Sequence, residues 1–197
     1  MRRSSLLALL IALTSPTWLA AQTPAPAAQP RTGFWISVGV GAGPRWLSCD
    51  LCTAEFGQGS GGDLSLGGTI NEQWLIGADL VGWFPWSGLD EGYDDDTDGF
   101  GAVLFTARHY PRVQSGLFLT GGLGVGQIDL QADVLESNGY VGKVGVGYDL
   151  RAGRSFSFTP LLSLVQTFGT ETSRAGDVME GEMNFGMITL GVSLTWH

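Results

Sequence analysis

From Ile188 to Trp196 apolar and polar residues alternate without a break. Ile188, Leu190, Val192, Leu194 and Trp196 share one face, and Thr189, Gly191, Ser193 and Thr195 share the other. A period of two with one apolar face is the signature of a half-buried β-strand. Seven earlier segments repeat it. Phe34–Ala42 turns Phe34, Ile36, Val38 and Val40 to one side; Asp63–Ile70 sets Leu64, Leu66 and Ile70 against Asp63, Ser65, Gly67 and Thr69. Trp74–Phe84 sets Trp74, Ile76, Ala78, Leu80 and Phe84 against Asp79, and Leu117–Gln127 sets Leu117, Leu119, Leu123 and Val125 against Thr120 and three glycines. Tyr140–Leu150 opposes Val144, Val146 and Tyr148 to Lys143 and Asp149, while Phe156–Gln166 opposes Phe156, Phe158, Leu162 and Leu164 to Ser155, Ser157, Thr159 and Ser163. In Gly99–Tyr110 the faces are ambiguous; placing Arg108 inside turns Val103, Phe105 and Ala107 outward. With the closing strand, Met183–Trp196, eight strands are predicted.

Their connections alternate in length. Asn71–Gln73, Pro111–Ser115 and Arg151–Arg154 are tight turns, whereas Pro44–Gly62, Pro85–Asp98, Ile128–Gly139 and Phe168–Glu182 are long. Segments of roughly nine to twelve residues with short turns at one end and long loops at the other fit an all-β, eight-stranded antiparallel up-and-down transmembrane β-barrel. Trp74, Tyr110, Phe156 and Trp196 are then expected at the rim of the tight turns, and Trp83, Phe84 and Trp86 near the rim of the loops, as two aromatic girdles.

The N-terminus strengthens the membrane reading. Arg2 and Arg3 precede an uncharged apolar run, Leu6–Leu13, and Ala20 and Ala21 supply small residues for cleavage after Ala21. The run is too short to cross a bilayer, so residues 1–21 read as a Sec-type export signal. Residues 22–31 (QTPAPAAQPR) are rich in Pro and Ala and read as a short periplasmic leader. About 165 residues then remain, 32–197, enough for one domain. No later stretch holds 18 consecutive apolar residues, and a closed barrel is the other way to satisfy every backbone polar group in lipid. Removing the two signal arginines takes the formal charge from −9 to −11, which disfavours nucleic acid as a partner, and anionic lipid except through bridging metal.

Two stretches carry a family resemblance. The end of the chain places Thr189, Gly191, Leu194 and Trp196 in the polar–Gly–apolar–aromatic spacing of the closing signal of Gram-negative outer-membrane proteins, with His197 as one extra residue. The strand Gly116-Leu117-Phe118-Leu119-Thr120-Gly121-Gly122-Leu123-Gly124-Val125-Gly126 is likewise similar to one common among them. The chain from about Gly33 onward resembles the small eight-stranded outer-membrane β-barrel family that includes OmpA- and OmpX-like domains. The resemblance implies an integral outer-membrane location, lipid and lipopolysaccharide as surroundings, and a monomer. It also implies recognition by the barrel assembly machinery through Thr189–Trp196. Its members serve as structural, adhesive or enzymatic barrels, so architecture is implied more sharply than activity.

The interior of an eight-stranded barrel is filled by side chains. The inward set, Gly, Ser and Thr with Asp63, Asp79, Arg108, Lys143 and Asp149, is expected to form a polar plug in which charges pair, Asp79 with Arg108 or Lys143. In the second long loop, Asp94, Asp96 and Asp98 followed by Gly99 reproduce the D-x-D-x-D-G opening of a calcium loop. The twelfth position is Phe105 and not Glu, and no helices flank it. The readings are a solvated acidic loop, a weak Ca²⁺ or Mg²⁺ site, or cations shared with lipopolysaccharide phosphates. Cys49 and Cys52 in the first loop are expected to form a structural disulfide in an oxidising envelope; metal binding and a free or intermolecular thiol are the alternatives. His109 and His197 are the chain's two histidines. His109 has no Ser two residues on, as a lipid-A-deacylating strand would need, so no catalytic residue and no cofactor beyond Ca²⁺ is expected. The expected role is therefore a non-enzymatic barrel with a structural or cell-surface interaction role and acidic outer loops. The alternative is a divalent-cation or small-ligand binder acting through Asp94–Asp98; a lipid-A-modifying enzyme ranks last.

Overall fold

The computed structural model describes residues 31–49, 55–85, 99–130, 135–152, 155–174, 177–179 and 181–197. Among them are eight long strands: β1 (Phe34–Cys49), β2 (Glu55–Asn71), β3 (Trp74–Pro85), β4 (Gly99–His109), β5 (Leu117–Leu130), β6 (Leu135–Tyr148), β8 (Phe156–Arg174) and β10 (Met183–Trp196). Two short ones, β7 (Leu150–Arg151) and β9 (Asp177–Met179), lie against β8. Each long strand runs antiparallel to the next, β8 pairs with β10, and β10 pairs back onto β1, so the sheet closes. Closure gives every long strand a hydrogen-bonding neighbour on both sides.

The register fixes the shape. Following cross-strand partners around the barrel from Ile36 leads through Leu66, Ala78, Phe105, Leu123, Gly142, Gln166 and Gly186 to Trp46. The path returns to β1 ten residues beyond its start. Ten residues at ~3.3 Å, slipped around eight strands ~4.8 Å apart, correspond to a strand tilt of ~40°. At that tilt the outward run from Trp74 to Phe84 lifts the chain ~25 Å, the height of the apolar band on such barrels.

The alternation assigns the faces as predicted. Val38, Val40, Leu66, Leu80, Val103, Phe105, Leu119, Leu123, Val144, Leu164 and Leu190 all point outward and are exposed. Ser37, Ser65, Asp79, Thr106, Arg108, Thr120, Lys143 and Thr159 point inward and are buried.

Three features differ from expectation. First, the strands outrun the alternating segments: β1 and β2 continue through much of the stretch read as a first loop, and β8 reaches Arg174. Above the apolar band neither face has to be apolar, so backbone pairing continues after the period-two signal has faded; Gly57, Gly59 and Gly61 on β2 are such positions. Second, Trp83 and Tyr110 do not join the girdles. Both are buried inside the barrel, Trp83 because it has the opposite parity to Leu80 and Phe84. A Cβ at Gly59 would run into the Trp83 indole, so the glycine makes room for it. Trp86 lies outside the described residues. Third, the interior is far from uniformly polar. Leu47, Val81, Trp83, Phe100, Leu104, Ile128, Val141, Val165, Met183, Phe185 and Met187 pack together toward the loop end. Trp35, Leu75, Tyr110, Phe118 and Leu161 pack toward the tight turns. An inward position in a narrow barrel is a core position, and it accepts large apolar side chains wherever a glycine opposite leaves room.

Near the loop end β8 carries an extra residue against β6: Asn138 faces Glu171 whereas Tyr140 faces Phe168. Gly169, at φ +60°, takes up the kink. The β8–β10 ladder ends at the same level, at Gln166–Gly186. Beyond it side chains replace the backbone acceptors: Phe185 N donates to Thr167 Oγ1 (2.7 Å) and Met183 N to Thr170 Oγ1 (2.9 Å).

Candidate functional site

Between the two apolar clusters lies a layer of buried charge. β3 brings Asp79 inward, β4 Thr106 and Arg108, β6 Lys143 and β2 Asp63, each at an inward position of its strand. Lys143 Nζ donates to Asp79 Oδ2 at 2.8 Å, and Thr106 Oγ1 donates to Asp79 Oδ1 at 3.1 Å. Both carboxylate oxygens of Asp79 are thus held, as a charge inside a barrel requires. Of the two partners the sequence offered Asp79, the structure selects Lys143. Arg108 instead stacks on aromatic faces, with its guanidinium carbon 4.3 Å from the Trp35 ring centroid and 5.3 Å from that of Phe118. Asp63 folds against Gly39, where any Cβ would collide with its carboxylate.

A second cluster closes the tight-turn end. Asp149, just past β6, accepts from Tyr110 Oη at 2.7 Å and from Thr159 Oγ1 at 2.8 Å. Arg31, read from sequence as the last residue of the leader, is buried here. Its Nη1 donates to Val113 O and its Nη2 to Ser115 O, both at 3.2 Å; Nη2 also lies 3.7 Å from Asp149 Oδ2. The guanidinium carbon sits 3.5 Å from the Tyr110 ring centroid. One residue thereby pins the β4–β5 turn to the end of β6. Burial, above all, and the adjoining Asp149 carboxylate push the Tyr110 phenol well above the ordinary tyrosine range. Nothing local in the sequence marks Arg31 for this role; its partners are more than 80 residues away.

Chemically, this is a charge-balanced interior: Asp63 and Asp79 against Lys143 and Arg108, with packed apolar side chains above and below; Asp79, Lys143 and Arg108 are buried and Asp63 is half-buried. His109 is elsewhere, facing outward at the tight-turn rim with its ring 4.4 Å from that of Trp74. Its cross-strand partners are Trp74 and Leu119, so neither neighbouring strand sets a serine or a carboxylate directly beside it. Asp94, Asp96, Asp98 and Cys52 lie outside the described residues, as does the side chain of Cys49.

No family model and no curated protein matches the chain. Solved structures do. The Neisserial surface protein A (NspA) superposes with a TM-score of 0.55 at 15% identity, covering 82% of this chain and 96% of its own. Ail, the attachment invasion locus protein of Yersinia pestis, gives a TM-score of 0.50 at 13% identity, covering 84% and 99%. OprG from Pseudomonas aeruginosa gives 0.44 at 12% identity, covering 87% and 100%. Identities this low speak to the fold alone: with the closed antiparallel sheet, the NspA superposition gives the chain the small, eight-stranded, antiparallel outer-membrane β-barrel fold.

Proposed function

We propose that this protein is an integral barrel of the bacterial outer membrane, exported by the Sec pathway, with a structural or surface-interaction role and no catalytic centre. The observation that carries the reading is the outward belt. Apolar side chains such as Phe34, Val40, Phe105, Leu123 and Leu190 are 63–68% exposed on a closed surface, far beyond the apolar patch a soluble monomer shows to water. Tight turns then face the periplasm and the long connections face outward. The packed interior argues against a solute path, so the closed plug is part of the proposal, with apolar layers around its charges. A surface role draws support from fold neighbours described as a surface protein and an attachment invasion locus protein. The partners we propose are outer-membrane lipid and lipopolysaccharide, with the assembly machinery reading Thr189–Trp196, and a monomer as the working unit.

Electrophoresis of outer-membrane extracts with and without boiling tests the barrel. A heat-dependent shift in mobility is expected, whereas a soluble periplasmic protein without a shift would overturn the reading. Identical lipid A mass spectra from cells with and without the protein are expected as well; a changed acyl pattern would make it an enzyme. The second reading is a divalent-cation site at Asp94, Asp96 and Asp98, favoured by the D-x-D-x-D-G spacing. Calcium titration that protects this loop from proteolysis in the wild type but not in Asp96→Ala would support it, and equal cleavage with and without calcium would remove it. For the Cys49–Cys52 disulfide, alkylation of the denatured protein should label both thiols only after reduction; labelling without reductant would refute the bond.

A further inference from the structure

Within the charged layer several polar groups are incompletely served: among the described residues Arg108 Nη1 and Ser65 Oγ have no hydrogen-bond partner, and neither does one oxygen of Asp63, while Lys143 has donors to spare. Asp63 Oδ2 is buried and meets no hydrogen-bond donor among the described residues. The carboxylate is packed against Gly39, and β2 holds it at an inward position midway along the barrel; the residue as a whole is half-buried, but this oxygen is covered. Lys143 has three N–H donors and gives one to Asp79 Oδ2; no second acceptor among the described residues lies within hydrogen-bond distance. Asp63 and Lys143 line the same interior cavity, together with Gly41, Ser163, Thr189 and Gly191. Its volume is ≈ 20 Å³, room for about one water molecule.

We propose that this cavity is a binding site for a single internal water molecule, which donates to Asp63 Oδ2 and accepts from Lys143 Nζ. The chemistry of the walls selects the ligand. The Lys143 ammonium opposes a bound cation, and the carboxylates of Asp63 and Asp79 oppose an anion. What fits is a small neutral molecule that donates and accepts at once. Ser163 supplies a third polar wall through its hydroxyl, and two to four polar partners are what an internal water needs. The glycines are part of the site: Gly41 and Gly191 face each other across the β1–β10 seam, and a Cβ on either would meet the other's backbone, so this wall stays recessed. The water turns two separate ionic groups into one chain, Asp63–water–Lys143–Asp79, and so serves both without direct contact between Asp63 and Lys143.

A crystal structure of the refolded full chain at about 2 Å or better reads the site directly. The expected result is one density peak within hydrogen-bond distance of both Asp63 Oδ2 and Lys143 Nζ. An empty cavity, a direct Asp63–Lys143 contact, or a peak whose coordination distances are those of a metal ion would each overturn the proposal. A solution test separates a wet cavity from a dry one. Ser163→Val pushes methyl groups into the space, so its urea midpoint should fall if it displaces a bound water; a rise would mean that an empty void had been filled. In an Asp63→Leu background, where the water has lost its acceptor, the drop should largely vanish. A drop that stays the same size there would count against the site.

Discussion

Replacing Lys143 by methionine removes the ammonium and keeps most of the side chain's volume. The residue is 4% exposed and Asp79 1%, so neither group can recover hydration in the folded barrel. Asp79 keeps only the Thr106 hydroxyl, and Asp63 loses one of the two positive charges that face it, leaving Arg108. Stripping one partner from a buried ion pair costs ~3–5 kcal/mol, because the remaining charge is left uncompensated. With a urea dependence of ~2 kcal/mol per molar, the midpoint should drop by roughly 1.5–2.5 M. Lys143→Met combined with Asp79→Leu removes both charges and should recover most of that loss, since an apolar replacement of a whole buried pair is close to neutral. The assay is reversible urea unfolding in lipid vesicles, followed by tryptophan fluorescence. The coupling between the two sites should then be several kcal/mol and opposite in sign to the single losses. A Lys143→Met midpoint within ~0.5 M of wild type would refute the argument, since a loss below ~1 kcal/mol is what a hydrated pair would give. Additive losses in the double variant would refute it as well.

Arg31→Ala should cost ~2–4 kcal/mol, from two charge-assisted hydrogen bonds and a cation–π contact, and Arg31→Lys should recover only part because it lacks the planar fork that spans Val113 O and Ser115 O. Unfolding midpoints of the three proteins decide this, and an unchanged Arg31→Ala midpoint would remove Arg31 from the barrel. Gly39→Ala should destabilise by ~1–3 kcal/mol through collision with Asp63, yet be nearly silent in an Asp63→Ala background; equal effects in both would show that the steric argument is wrong. Tyr110 is an acid whose folded pKa is raised, so its contribution to stability is complete below the unfolded value of ~10 and is lost as pH climbs above it. Absorbance titration of the folded barrel should be unchanged up to pH ~11 by Tyr110→Phe; loss of one tyrosine's amplitude below that would contradict it.

How much was legible beforehand varies from residue to residue. The outward positions of seven strands could be read because water and lipid enforce a period of two wherever one face is apolar; in Gly99–Tyr110 both faces are apolar enough to be ambiguous, and only placing Arg108 inside set the parity. Trp83 was legible and was misassigned: its parity relative to Leu80 and Phe84 points inward, but an aromatic near a strand end suggested the girdle. Strand ends at the loop side were not legible, because pairing that leaves the apolar band carries no hydrophobic signature, as in Glu55–Gly61 and Gly169–Arg174. The Asp79–Lys143 pair was half legible: parity put Asp79, Arg108 and Lys143 inside, while register and aromatic packing chose between the two cations.

The sequence by itself therefore determined the architecture, since strand number, face assignment and the alternation of tight and long connections are local patterns summed along the chain. Tertiary structure alone decided the slip of ten residues around the barrel, and with it which inward side chains share a level. It also drew Arg31 under the mouth onto Tyr110 and Asp149, and set Trp83 over Gly59. Those contacts join residues tens of positions apart. Their energies depend on closure, a condition of the whole sheet that no local stretch of sequence carries.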